Sequence, residues 1–461
     1  MSIRKRFGMM GIFAAYISML HPVSAQTLPL KIQNTSGVGI FSIYMSKPDH
    51  AAWEEDALGD GKLAPGTAIT ITGIPPGFYD MKLVDENGNS CVIHNFRIYP
   101  RTVSLKITPD LLLRCFTSSH TRDLASDETK NYQVIRIFFA TDRMQGQRTG
   151  ELQEFTAERG TDDRLTLGSA EVSIPRDHQM GELEAPSVFR LEFRPNPEKH
   201  VVLLTAKVLQ KQQFVELLNS RLDRDPNRRA LVFVPGYYVT FEDGARRLAQ
   251  ITYDLGFSGA PVLFSWPSRG TLFGYTADEA TTEWSSAHLL SFLQTLQEQS
   301  GVKTIYLIGH SMGNRLIASA LRSIADHPTK PDRTKISGVI MAAPDIDAAV
   351  FKQIADPLLT SGVHITIYES SRDFALKASH KFHGYPRLGD TDPTVHVLKN
   401  YECIEASSVD TGLLGHTYVG DNTSILSDIF DLIKNGSPAT QRFRLSEQHT
   451  LDGLPYWSFK K

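Results

Sequence analysis

Thr304-Ile305-Tyr306-Leu307-Ile308-Gly309-His310-Ser311-Met312-Gly313-Asn314-Arg315-Leu316-Ile317 is the stretch that orders the rest of the chain. Its opening run, Thr304 to Ile308, has the apolar, β-branched and aromatic composition of a buried strand. From Leu316 onward, apolar side chains fall at Ile317, Ala320, Leu321 and Ile324, with Arg315, Ser319 and Arg322 opposite, which is one face of an amphipathic helix. Between strand and helix, Gly309-His310-Ser311-Met312-Gly313 fits G-x-S-x-G, the pattern of a serine on a strained turn. Side chains in place of the two glycines would collide with neighbouring chain in a turn tight enough to lift the Ser311 hydroxyl above the sheet edge. The motif alone says little; strand, elbow and helix together make Ser311 a candidate nucleophile.

A serine hydroxyl is a weak nucleophile at neutral pH and needs a base, with a carboxylate to fix the tautomer of that base. In the fold that carries this elbow, the acid and then the histidine follow in chain order. The strand ending at Tyr368 runs into Glu369-Ser370-Ser371-Arg372-Asp373, which places Asp373 just past the carboxyl end of a sheet strand. Asp345 and Asp347 follow the preceding strand and are the competing acids. Among the later histidines, His416 sits in the Gly-bearing loop Gly412-Leu413-Leu414-Gly415-His416-Thr417-Tyr418 and is favoured, with His380, His383 and His396 as alternatives. The oxyanion needs two backbone N–H donors. Met312, after the nucleophile, supplies one, and Tyr237 in Val234-Pro235-Gly236-Tyr237 is the candidate for the other. The spacing of His380 and His383 suggests a metal pair, but no third ligand is near in sequence, so surface histidines fit better and neither metal nor cofactor is expected.

Outward from the elbow, beyond Val134, apolar strands alternate with amphipathic helices. Ala230–Val234 is followed by a helix with Phe241, Ala245, Leu248 and Ala249 on one face, and Pro261–Trp266 by a helix over 278–299. Gly338–Ala342 and His364–Tyr368 supply further strands. This pattern predicts a mostly parallel sheet covered by helices on both faces, the α/β class. Trp266, Phe273 and Tyr275 are either pocket or core aromatics.

From Leu28 to Thr108 the pattern is different. Short strands at Ile40–Met45, Ala68–Thr72 and Phe78–Val84 are separated by turn residues, and Tyr79, Met81 and Leu83 alternate with Asp80 and Lys82. A turn over 85–89 leads into Cys91–Ile98, a hairpin signal. A small β-sandwich is expected over 27–115, as a packing or binding module. A polar linker over 116–132 follows, then the α/β domain over 133–461. Ahead of the sandwich, Arg4, Lys5 and Arg6 precede an apolar run from Phe7 to Leu20, and His21-Pro22-Val23-Ser24-Ala25 ends in small residues. This reads as a secretory signal peptide over 1–25, too short in its apolar part for the roughly 20 residues of a membrane-spanning helix. No cysteine follows Ala25 to carry a lipid anchor. The mature chain is therefore expected outside the cytoplasm, periplasmic or secreted, without a transmembrane helix.

Composition agrees with an ordinary globular chain: 461 residues, 41% hydrophobic and 21% charged, enough for two domains with a sizeable core. A formal charge of -3 without a long basic run argues against nucleic acid as a partner. The three cysteines, Cys91, Cys115 and Cys403, are too few for a disulfide scaffold; a Cys91–Cys115 bridge and three buried thiols are both compatible with the sequence.

Several motifs in one order resemble a family. Phe139-Ala140-Thr141-Asp142-Arg143, Val172-Ser173-Ile174-Pro175, Phe241-Glu242-Asp243, Phe264-Ser265-Trp266-Pro267-Ser268-Arg269-Gly270, the elbow and Arg387-Leu388-Gly389 are similar to bacterial α/β-hydrolases grouped as a domain of unknown function, from about Val134 to Ile433. The resemblance implies an esterase- or lipase-like α/β-hydrolase fold and a triad of Ser311, Asp373 and His416, and it brings no substrate. One departure is Pro235, where the family usually has histidine before the glycine and tyrosine of the oxyanion loop. Proline lacks an N–H and stiffens the loop.

Three functions fit this pattern. The first is hydrolysis of a small-molecule or lipid carboxylic ester through an acyl-enzyme. The second is a degenerate hydrolase that binds an envelope component, and the third is amide or peptide cleavage by the same triad.

Overall fold

The computed structural model describes residues 27–47, 54–59, 61–85, 90–99, 104–109, 111–112, 131–161, 164–186, 194–269, 274–326, 335–360, 363–392, 394–409 and 422–460. The stretch over 1–25 expected to be a signal peptide, most of the expected linker, Cys115, Phe273 and His416 lie outside the described residues. Among the described residues, no helix is long and apolar enough to cross a membrane.

Six strands make the N-terminal module: β1 (Leu28–Asn34), β2 (Ile40–Ser46), β3 (Ala68–Ile74), β4 (Gly77–Asp85), β5 (Ser90–Ile98) and β6 (Ser104–Ile107). They form two three-stranded sheets, β3-β1-β6 and β2-β4-β5. The alternation in β4 buries Tyr79, Met81 and Leu83, which join Leu30, Ile32 and Ile43 in one apolar cluster. β4 and β5 pair antiparallel, Leu83 opposite Cys91, as the hairpin signal requires.

The α/β domain opens with β7 (Tyr132–Thr141), β8 (Arg143–Thr149), β9 (Leu152–Arg159), β10 (Thr166–Pro175) and β11 (Val202–Leu209). Here the expected alternation of strand and helix from Val134 does not hold. These strands make the β10-β11-β9-β8 edge of a 13-stranded sheet, with β10 antiparallel to both β7 and β11. The reason is local: Gly150, at φ +60°, turns β8 into β9, and both strands are rich in exposed polar residues.

The alternation begins after β11. It runs α1 (Lys211–Leu222), β12 (Arg229–Val234), α2 (Phe241–Asp254), β13 (Ala260–Ser265), α3 (Tyr275–Gln299), β14 (Thr304–His310) and α4 (Gly313–Asp326). It continues with β15 (Ile336–Ala342), α5 (Ala348–Thr360), β16 (His364–Glu369), α6 (Phe374–His383), β17 (Glu402–Glu405) and α7 (Thr423–Asn435). A C-terminal hairpin, β18 (Leu445–His449) and β19 (Pro455–Phe459), adds an edge that no feature used above anticipates. From β19 through β17, β16, β15, β14, β12 and β13 to β7, every neighbouring pair is parallel.

Period two along the strands feeds two cores. On β12, Leu231 and Phe233 face the cluster built with α2 and α7, while Ala230, Val232 and Val234 face the one built with α1, α3, α4 and α5. Phe241, Ala245, Leu248 and Ala249 are all buried, as the helical face predicts. Burying each large aliphatic side chain contributes roughly 1.5–3 kcal/mol, so both helical layers hold the sheet firmly.

Strand order places the site. From β12 the chain moves to β13 on one side, then crosses to β14 on the other. Such a reversal opens a crevice at the carboxyl ends of the strands, where open α/β sheets bind ligands. The two strands flanking it end in Val234 and His310, directly before the two loops singled out from sequence.

Candidate active site

Ser311 stands in the crevice on a backbone that few side chains tolerate, with φ at +50°. The turn is held from three sides. The Ser311 N–H donates to the Ala342 carbonyl at 3.0 Å, and Asn314 Nδ2 donates to the same carbonyl at 3.0 Å and to the Ser311 carbonyl at 3.2 Å. The flanking glycines are needed for space: a Cβ on Gly313 would lie 2.4 Å from the Val234 carbonyl oxygen, and one on Gly309 would lie 2.2 Å from Asn314 Oδ1. α4 starts at Gly313, so its N-terminal dipole points its positive end at the turn.

The loop after β12 presses against Ser311. A Cβ on Gly236 would come within 2.9 Å of Ser311 Cβ. Among the described residues, neither the Tyr237 nor the Met312 amide N–H donates to a protein acceptor. Met312 is buried and Tyr237 half-buried, so both leave an N–H beside Ser311 that a polar group of a ligand can satisfy.

What shapes that loop comes from distant sequence. The Pro235 carbonyl accepts from Trp266 Nε1 at 2.7 Å, and Tyr238 holds a positive φ of 63°. Arg143, only 3% exposed, donates to the Val239 carbonyl at 2.7 Å, the Ser268 carbonyl at 3.0 Å and Ser265 Oγ at 2.9 Å. Burial lowers the Arg143 pKa to about 10 in spite of Asp142 and Asp278 nearby, so the group stays cationic at neutral pH. Asp278 anchors the other end, accepting from Ser268 Oγ at 2.7 Å and the Arg269 amide at 3.0 Å. Trp266 is therefore a core anchor, fully buried, while Tyr275 lines the pocket.

The pocket beside Ser311 has a volume of about 360 Å³ and is walled by Tyr237, Tyr275, Asp345, Leu376 and Phe382. Its polar wall is a network centred on Asp345. Asp345 Oδ2 accepts from the Tyr275 hydroxyl at 2.5 Å, Oδ1 accepts from Ser379 Oγ at 2.7 Å, and Arg387 Nε lies 3.5 Å from Oδ1. Burial and the Asp345 charge push the Tyr275 phenol well above its usual range, so it is a neutral donor. Arg315 bridges the Asp345 carbonyl and Glu279. Of this wall, Tyr275, Tyr237, Asp345 and Arg387 stood out in the sequence one by one, but nothing there joined them to Ser379, Arg315 and Glu279.

Asp373 lies past the carboxyl end of β16, fully buried, and caps α6 by accepting from the Leu376 amide at 2.9 Å. Asp347 caps the start of α5 through the Ala349 and Val350 amides. Among the alternative histidines, His383 bonds the Ser379 carbonyl and Glu279, and His396 sits 3.5 Å from buried Glu369. His416 falls in the stretch over 410–421, outside the described residues, between β17 and α7. Among the described residues, no side chain hydrogen-bonds Ser311 Oγ, and no group of three His, Cys, Asp or Glu side chains is placed to hold a metal ion. Cys403 is buried as a free thiol.

Strand order, elbow and crevice define an α/β-hydrolase fold behind a small all-β module. In keeping with it, the model of a family described as "Alpha/beta hydrolase of unknown function (DUF900)" matches residues 210–432. That span contains the elbow, the Val234–Tyr237 loop, the acid candidates and His416, and it begins later than the motifs at Phe139–Arg143 and Val172–Pro175. A comparison with curated proteins found no match. Among solved structures the chain is similar to one described as a "putative cell surface hydrolase" of Lactobacillus plantarum WCFS1, at 12% identity, covering 46% of this chain and 94% of that one, with a TM-score of 0.28.

Proposed function

We propose that the protein is an exported serine hydrolase that cleaves carboxylic esters, with Ser311 as nucleophile, His416 as base and Asp373 as the carboxylate that orients it. Ser311 Oγ attacks the ester carbonyl as the imidazole takes its proton, and the oxyanion is held by the Met312 and Tyr237 amides. The imidazolium then gives that proton to the departing alcohol, leaving an acyl-Ser311 that water, activated by the same ring, releases as a carboxylic acid.

The observation that carries this reading is the pair of unpaired amides beside a serine on a strained elbow, at the mouth of a pocket large enough for a small acyl group. Asp373 is favoured over Asp345 because it follows β16 at the carboxyl edge of the sheet, the usual position of the acid in this fold. His416 is favoured because its segment leaves β17, two strands along from the elbow strand's neighbour β15, in the chain order this fold requires.

A fluorophosphonate probe tests the assignment. Labelling of the native protein that disappears in Ser311→Ala is the expected result. Absence of labelling in the native protein would favour a binding role over catalysis.

A further inference from the structure

The helix that walls the pocket carries large apolar side chains on its solvent side. α6 turns Leu376 and Ser379 inward, at 1% and 5% exposure, Leu376 into the apolar core and Ser379 onto the polar network around Asp345. Its outer face carries Phe374 and Phe382, each 65% exposed, and Tyr385 just beyond the helix is 64% exposed. Phe374, Ala378, Lys381 and Phe382 are spaced so that they share one side of the helix. Large side chains placed outward, with room for polar ones instead, mark an interaction surface.

Two further features say what the surface meets. α6 contains no acidic residue, and Arg372, Lys377 and Lys381 lie on or beside it, in a chain whose formal charge is -3. Lys377 is paired with Asp392 at 3.1 Å, which leaves Arg372 and Lys381 as the exposed cations. Second, the face is continuous with the pocket: the rings of Phe382 and Tyr275 are 5.9 Å apart, and those of Tyr275 and Tyr237 are 5.4 Å apart. An aromatic track therefore leads from the outer face to the wall beside Ser311. Aromatic side chains interleaved with cations on a short helix are suited to the headgroup region of an anionic bilayer.

We propose that the outer face of α6 docks on an anionic lipid surface and sets the pocket mouth against it, so that the ester is drawn from the lipid along the aromatic track. The substrate part of this inference rests on the hydrolase assignment; the docking part does not.

The test is co-sedimentation of the full chain with vesicles of phosphatidylcholine alone and with about one third phosphatidylglycerol, the latter to supply the anionic surface. Hydrolysis of a soluble acetyl ester is measured alongside. The native protein is expected to bind the anionic vesicles and not the neutral ones, and to release with added salt. Lys381→Gln should weaken binding about fivefold, and Phe374→Ser by roughly tenfold or more. Neither residue lines the pocket, so both variants should hydrolyse the soluble ester at the native rate. Equal binding to both vesicle types, no binding to either, or variants that bind as the native chain does would overturn the docking. So would self-association of the native chain that Phe374→Ser abolishes, because the face would then belong to a second copy. Vesicle binding of the predicted kind in a protein that hydrolyses no ester would support the docking and sink the hydrolase assignment instead.

Discussion

Replacing His178 by glutamine should cost the protein stability at pH 6 and very little at pH 10. The His178 side chain is 1% exposed, in the turn after β10, with Nδ1 at 2.8 Å from Glu184 Oε2 and Nε2 at 2.8 Å from Asp254 Oδ1 at the end of α2. Burial by itself favours the neutral ring, but the hydrogen bonds to Asp254 and Glu184 outweigh it and raise the pKa from 6.5 to about 9. At 1.36 kcal/mol per pKa unit, that displacement amounts to about 3 kcal/mol. The folded pKa lies above the unfolded one, so this stability is fully present below pH 6.5 and is lost as pH rises through 9. Glu184 shifts in the opposite direction: burial raises it, the His178 contacts more than reverse that, and its contribution is lost as pH falls through its depressed folded pKa. Urea unfolding of native protein and His178→Gln, followed by tryptophan fluorescence, measures the difference. The native chain should lead by about 3 kcal/mol at pH 6 and by less than about 1 kcal/mol at pH 10. A gap that stays constant between the two pH values would refute the argument, because the ring would then be acting by packing rather than by charge.

The site yields further predictions. Asp373→Asn should lower ester turnover by about 10⁴-fold through the wrong histidine tautomer, while thermal unfolding moves little because asparagine also caps α6. Arg143→Lys, which loses the fork that holds the Val239 and Ser268 carbonyls, should reduce kcat by roughly a hundredfold through a displaced Tyr237 amide, with KM nearly unchanged in steady-state kinetics. Gly313→Ala, whose new methyl would meet the Val234 carbonyl, should destabilise the fold by about 3 kcal/mol in denaturant titration.

The elbow was legible in sequence because everything that makes it lies within a few residues: an apolar strand, two glycines that leave room, and a helix with a clear apolar face. The parallel strands around it were legible for the same reason, since continuous runs such as Ala230–Val234 have no other stable place than a covered sheet. The β8–β9 edge was not, because its strands are exposed and polar and their period carries little contrast. The C-terminal hairpin was missed likewise, with Glu447 and Gln448 in a strand only half covered. At the site, the residues that shape the loop after β12 act over long separations: Arg143 reaches Val239 and Ser268, and Trp266 reaches Pro235. Their side chains stood in the motifs at Phe139–Arg143 and Phe264–Gly270, but no spacing rule connects a buried guanidinium to a carbonyl some hundred residues away. α6 misled in another way. Its histidines looked like surface groups, yet His383 turns inward to Ser379 and Glu279 while Phe374 and Phe382 face out.

The most direct measurement is mass spectrometry of the protein quenched shortly after mixing with a chromogenic acetyl ester. One acetyl group per chain is expected, mapped by fragmentation to Ser311. An unmodified chain during active turnover, or an acetyl group that persists elsewhere in Ser311→Ala with turnover undiminished, would contradict it.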